Sequence, residues 1–257
     1  MEPWMLVLGM AAGVLSGLFG IGGGIVMVPS LVVFFGMDML DANATSLAAM
    51  LLPVGILGVV AYYKAGLLNI VDSMWIALGL FLGSFVGGEI AVNIGAGVLS
   101  HLYVLILLYV AFNYLDLFAI FRKKKPDVPL AEMVQTKRPI WSFVVLGIAA
   151  GIFAGLFGKG GGIVLVPLLV GLFHYEPKAA AATSLAALQL PVGLPSVLIY
   201  AHDGHLNLLH ASFIAAGIVI GALVGSKIGV HLPAVYFRKA FAVFLLVVAG
   251  YMFAQHV

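Results

Sequence analysis

The sequence predicts an all-α, polytopic membrane protein built from two homologous halves. Hydrophobic residues make up 63% of the 257 residues and charged residues 9%, where a soluble domain carries about 25% charged residues. Mean hydropathy is +1.20. The long runs are continuously apolar rather than alternating, which excludes a β-barrel. Helices remain, because in lipid they satisfy their own backbone hydrogen bonds. The chain also repeats itself. A shift of about 138 residues lays residues 7–103 on residues 145–241 without a gap, with roughly two positions in five identical.

The matched positions are not only apolar ones. Gly17-Leu18-Phe19-Gly20-Ile21-Gly22-Gly23-Gly24-Ile25-Val26 falls on Gly155-Leu156-Phe157-Gly158-Lys159-Gly160-Gly161-Gly162-Ile163-Val164. Pro29 falls on Pro167, Ala44-Thr45-Ser46-Leu47 on Ala182-Thr183-Ser184-Leu185, Leu52-Pro53-Val54-Gly55 on Leu190-Pro191-Val192-Gly193, and Asn69 on Asn207. Shared hydrophobicity cannot match Gly, Pro, Thr, Ser and Asn in register. The expected organisation is an N-terminal repeat over 1–121, a basic linker over 122–139 and a C-terminal repeat over 140–257.

Each element of a half follows in order. The first block, Met5–Gly36, would be about 48 Å long as one helix, too long for one span. The Gly22–Gly24 run should break it, since consecutive glycines are poor helix formers. The expected pieces are Met5–Gly20 and Ile25–Phe35, the second short enough to be re-entrant. Ala42–Tyr62 is long enough to cross, with Pro53 inside it as a kink and Pro191 and Pro195 doing the same in the second half. Asn69 and Asn207 follow glycines and suit helix caps. The frames Gly9/Gly13/Gly17, Gly79/Gly83/Gly87, Gly147/Gly151/Gly155 and Gly217/Gly221/Gly225 are small-residue ridges for close helix packing. Leu99–Phe121 and Ala240–Val257 close the halves.

Basic residues orient the chain. The linker carries Arg122, Lys123, Lys124, Lys125, Lys137 and Arg138, and a Lys/Arg surplus in a short loop reads as cytoplasmic. If the first block crosses once, each half has four spans, the halves are parallel, and Lys178, Arg238 and Lys239 fall outside; if it goes in and comes back, each half has odd parity and the halves are inverted. Lys64, Lys178, Arg238 and Lys239 then join the linker inside, so inverted repeats are the expected arrangement. The N-terminus lacks a basic n-region, so the first segment is read as part of the mature protein.

The duplicated Gly-x-x-x-Gly-x-x-Gly-x-Gly-Gly-Gly block, then Val28-Pro29 or Val166-Pro167, then Ala-Thr-Ser, resembles the sulfite exporter TauE/SafE family. The resemblance covers nearly the whole chain. It implies a prokaryotic inner-membrane permease linked to export of sulfite, sulfoacetate or other sulfur-containing anions. Lys159 departs from the first repeat, where Ile21 stands.

The candidate substrate residues follow from helix-end chemistry. A broken helix presents unpaired backbone N–H groups at the start of its second piece, and these suit an oxyanion. Gly22, Gly23 and Gly24, with Gly160, Gly161 and Gly162, stand at those starts. Lys159 offers a countercharge or snorkels as an anchor. Thr45, Ser46, Thr183 and Ser184 offer hydroxyls, to a substrate or across helices. Gln189 is a weaker candidate, and Glu89 and Asp116 are candidate proton carriers. The histidines show no metal-ligand spacing, and no metal or cofactor is expected. The absence of cysteine removes disulfides and thiolate sites. No GxxxxGK[ST] motif is present, which argues against an ATP-driven pump. Basic residues sit at helix ends, so nucleic acid is not an expected partner. The bilayer and a small anion are, and a homo-oligomer stays open. An anion channel, an intramembrane enzyme and a non-transporting subunit are the competing readings. No catalytic constellation supports the enzyme.

Overall fold

The computed structural model describes residues 2–19, 24–52, 55–114, 139–158, 161–229, 246–247 and 249–254. Gly22, Gly23, Pro53, Asp116, Lys159, Gly160 and all of the linker except Pro139 lie outside them. The described residues form α1 (Glu2–Phe19), α2 (Gly24–Phe35), α3 (Met39–Ala49), α4 (Ile56–Lys64), α5 (Ile70–Tyr114), α6 (Ile140–Phe157), α7 (Gly162–Gly171), α8 (Pro177–Ala187), α9 (Leu194–His202) and α10 (Leu208–Gly229). No strand occurs among the described residues. Long apolar side chains such as Trp4, Phe85, Leu105, Tyr109, Trp141 and Leu208 are exposed. Such a surface suits a bilayer and would be unusual in water.

The described residues of the first block lie in two helices, with the expected break at residues 20–23 outside them. α1 ends at Phe19 and α2 starts at Gly24. α2 has 12 residues, about 18 Å at the helical rise, so it penetrates only part of a core about 30 Å thick. Its residues Gly24–Val32 are all buried, as expected of a short helix that is apolar on every side.

Two segments differ from the sequence reading. The stretch Ala42–Tyr62 is two helices, α3 and α4, rather than one kinked span, and its counterpart is likewise divided into α8 and α9. In the second half the cause is visible. Pro191 lacks an amide donor and disfavours helical geometry at Leu190. Helix resumes after Gly193, with Pro195 in the first turn, where the missing N–H costs nothing. Pro195 therefore starts a helix instead of bending one. α5, in turn, contains a non-helical residue, Gly95, at φ 77 and ψ 165. Glycine reaches that conformation without a Cβ penalty, so α5 is two successive helices joined at Gly95.

The most extensive packing is of α1 on α10 and of α5 on α6. Both contacts use glycine ridges. A side chain at Gly9 or Gly13 would strike the carbonyls of Ile214 or Ile218, and one at Gly217 or Gly221 would strike those of Leu6 or Met10. Gly79, Gly83 and Gly87 meet Val144, Ile148 and Ile152 in the same way, while Gly147 and Gly151 meet Ile76 and Leu80. The two sets correspond at the 138-residue offset with the halves exchanged. Residue numbers rise together across each contact, so the paired helices run parallel.

The broken helices cross the other way. Gly55 donates its N–H to Gln189 Oε1 at 3.0 Å, and a Cβ at Gly193 would lie 3.2 Å from Leu47 Cδ2. The start of one line thus meets the end of the other: α3 packs on α9 and α4 on α8. The α3–α4 line runs antiparallel to the α8–α9 line. At one end of this pair His205, just past α9, meets Asp41 in the first turn of α3 at 2.7 Å. At the other end Tyr175, just before α8, donates to Asp72 at the head of α5.

Candidate functional site

The buried polar seam lies where these broken helices meet the glycine break of the second half. α6 ends at Gly158, which takes the left-handed conformation (φ 63, ψ 19) favoured by a glycine C-cap. A Cβ there would lie 2.6 Å from Asn43 Cα, so glycine is also needed for close approach. α3 is docked on this end by side chains. Asn43 Nδ2 donates to Leu156 O at 2.9 Å, and Ser46 Oγ donates to Gly158 O at 2.8 Å. Tyr200 Oη, from α9, donates to Gly155 O at 2.9 Å. Three side chains thereby occupy carbonyls at the C-terminal end of α6, where intrahelical partners run out.

α7 then starts at Gly162, with Gly161 as its N-cap. Gly24, Gly161 and Gly162 are buried. The first amides of α2 and α7 lack an i−4 acceptor within the helix, although Val164 N and Leu165 N of α7 donate to Gly161 O at 3.0 and 2.9 Å; the helix dipole adds positive potential there. A Cβ at Gly161 would lie 2.9 Å from Leu80 Cδ2 and 3.1 Å from Ala150 O. Packing alone therefore explains this glycine.

The hydroxyls divide into two kinds. Ser46 is committed to Gly158, as above. Thr45 Oγ1 and Thr183 Oγ1, on α3 and α8 at equivalent repeat positions, are fully buried and have no hydrogen-bond partner among the described residues. Asn43 Oδ1 is likewise buried without a partner. A buried polar atom left unpaired costs about 1–3 kcal/mol, and natural structures reserve most such atoms for water, an ion or a ligand. Ser184 is buried as well.

Gln189 is a brace. Its Nε2 donates to Leu185 O at 3.0 Å and its Oε1 accepts from Gly55 N, so both ends of the amide hold backbone at the helix breaks. Two serines missed by the sequence reading do similar work on α5. Ser84 Oγ donates to Val192 O at 2.7 Å, and Ser196 Oγ donates to Ser84 O. Asn43 was also missed, although an amide inside an apolar stretch is itself a signal. Its repeat counterpart is Ala181, so a search guided by duplication passes over it. Asn69 and Asn207 do cap: Asn69 Oδ1 accepts from Asp72 N, and Asn207 Oδ1 from Leu209 N and His210 N.

Glu89, Pro195 and Pro191 lie elsewhere. Glu89 and Pro195 line an open groove of about 740 Å³ between α5 and α9, together with Phe85, Leu198 and His202. Pro191 lines a neighbouring groove of about 610 Å³. Neither groove is lined by a Thr-Ser pair.

An all-helical, lipid-facing chain with broken helices around a buried polar seam falls in the class of polytopic membrane proteins from which transporters are drawn. The family model for sulfite exporter TauE/SafE matches residues 3–252, and the chain belongs to that family. It is 26% identical over 239 residues to the probable membrane transporter protein YunE of Bacillus subtilis (strain 168), covering 88% of this chain and 86% of the relative. It is 28% identical over 261 residues to a probable membrane transporter protein of Methanocaldococcus jannaschii, covering 97% and 93%. It is 28% identical over 274 residues to one of Haemophilus influenzae, covering 97% of each chain. No solved structure matches the chain.

Proposed function

We propose that this protein is a secondary transporter that exports a small sulfur-containing anion by alternating access. The anion is sulfite, sulfoacetate or a related organosulfonate. The unpartnered, fully buried hydroxyls of Thr45 and Thr183 carry the reading. They are donors without an internal acceptor, placed at equivalent positions of two broken helices, and an oxyanion is what such donors lack. The first-turn amides that follow Gly22–Gly24 and Gly160–Gly162 supplement them. Lys159 supplies countercharge near the second break. Glu89 and Asp116 are the candidate proton carriers. The antiparallel crossing of the equivalent lines α3–α4 and α8–α9 supports inverted halves. Inverted repeats with substrate at interrupted helices form a recurrent transporter architecture. With the linker cytoplasmic, the Asp41–His205 end faces outward in a prokaryotic inner membrane.

The test is efflux from proteoliposomes loaded with sulfite or a small organosulfonate, against chloride and protein-free controls. Saturable efflux of the sulfur anion is expected, falling roughly tenfold or more in Thr183→Val, because a hydrogen bond to a charged group contributes about 1.5–3 kcal/mol. Gly161→Leu is a poor probe, since its side chain would displace Leu80 and Ala150. Lys159→Ala separates countercharge from anchor: retained flux assigns the ammonium to the interface. No flux of any sulfur anion overturns the substrate assignment.

A further inference from the structure

The two polar contacts at opposite ends of the α8–α9 line share a design but not a chemistry. Each ties the segment after a short helix of one half to the segment that opens a long helix of the other. After α2 the tie is Asp41, reaching His205 ahead of α10 at 2.7 Å. After α7 it is Tyr175, reaching Asp72 at the head of α5. The repeat does not explain the pairs, because Asp41, His205, Tyr175 and Asp72 correspond to Ala179, Leu67, Met37 and His210. Different residues have been placed at equivalent seams, each bridging the halves.

We propose that Asp41–His205 and Tyr175–Asp72 are the two gate latches of the transport cycle, one at each end. The inference rests on the transporter reading above. Alternating access requires that the halves part at one end while they stay joined at the other, and each latch joins the halves at one end only. Both are half-buried, at 29% and 39% side-chain exposure for His205 and Asp41. They are thus accessible enough to break and shielded enough to matter.

The chemistry sets how each latch responds. Burial, and then the hydrogen bond and charge of Asp72, hold the Tyr175 phenol well above its ordinary pKa, so it stays a donor throughout the physiological range. The Asp41 latch is a single contact between the His205 ring and the Asp41 carboxylate at 2.7 Å, so loss of either side chain removes it.

The experiment uses the absence of native cysteine. A single Thr45→Cys substitution is labelled with a membrane-impermeant maleimide in right-side-out and in inside-out vesicles. His205→Ala is expected to raise the labelling rate several-fold from the side bearing Asp41 and to lower it from the other, and Tyr175→Phe to do the reverse. Rates that rise equally from both sides, or that do not change, overturn the latches. Labelling needs no substrate, so a chain that moves no tested anion yet labels in this side-specific way keeps its gates and loses only the substrate assignment.

Discussion

At the scale of single residues, neighbouring positions of one motif have parted roles. Thr45 and Ser46 are adjacent, yet helical geometry points them apart: Ser46 Oγ is spent on Gly158 O, while Thr45 Oγ1 is unpaired. Their substitutions should therefore diverge. Thr45→Val keeps the shape and removes an unsatisfied hydroxyl, so stability should hold or rise by about 1 kcal/mol while efflux falls. Ser46→Ala strips a partner from a buried carbonyl and should destabilise by about 1–3 kcal/mol. Thermal denaturation in detergent, paired with proteoliposome flux, checks both. If Thr45→Val lowers the melting temperature without touching flux, that hydroxyl is structural.

Among the elements, glycine has at least two distinct tasks. On the α1–α10 and α5–α6 contacts it lets backbones touch, and a side chain at Gly83 would run into Ile148 backbone. Backbone cannot rotate aside as a side chain can. Gly83→Leu should leave little folded protein by size-exclusion chromatography after extraction. Gly97→Ala, in α5 with nothing within 4 Å of its Cβ position, should leave the same profile unchanged. Gly95 has equally open surroundings but a φ of 77° and ψ of 165°, a region almost restricted to glycine, so Gly95→Ala should destabilise through backbone strain alone, by about 1–3 kcal/mol. The three substitutions separate collision, conformation and neither.

In the whole molecule, the halves are interleaved rather than placed side by side. α1 of the first half packs mainly on α10 of the second, and α5 mainly on α6. Each half alone would expose glycine ridges made for backbone contact. Residues 1–121 and 140–257 expressed separately should each be degraded, whereas co-expressed they should copurify in a complex that retains efflux. Affinity purification through a tag on one fragment reads this directly, and stable isolated halves would contradict the interleaving.

The sequence by itself determined the solvent and the helical class, because these depend on composition and periodicity, which are local properties. It also marked Asn69 and Asn207 as caps and the glycine frames as contact ridges. Which ridge meets which, and which hydroxyls find a carbonyl, could not be read there, because both depend on backbone more than a hundred residues away in the chain. The Gln189 amide accepts from Gly55 N, a contact across 134 residues of sequence. Asn43 was invisible to a search by repeats because its counterpart is Ala181. The tertiary structure decided these points, since burial turns an unpaired polar atom from a matter of indifference into a cost that a partner must relieve.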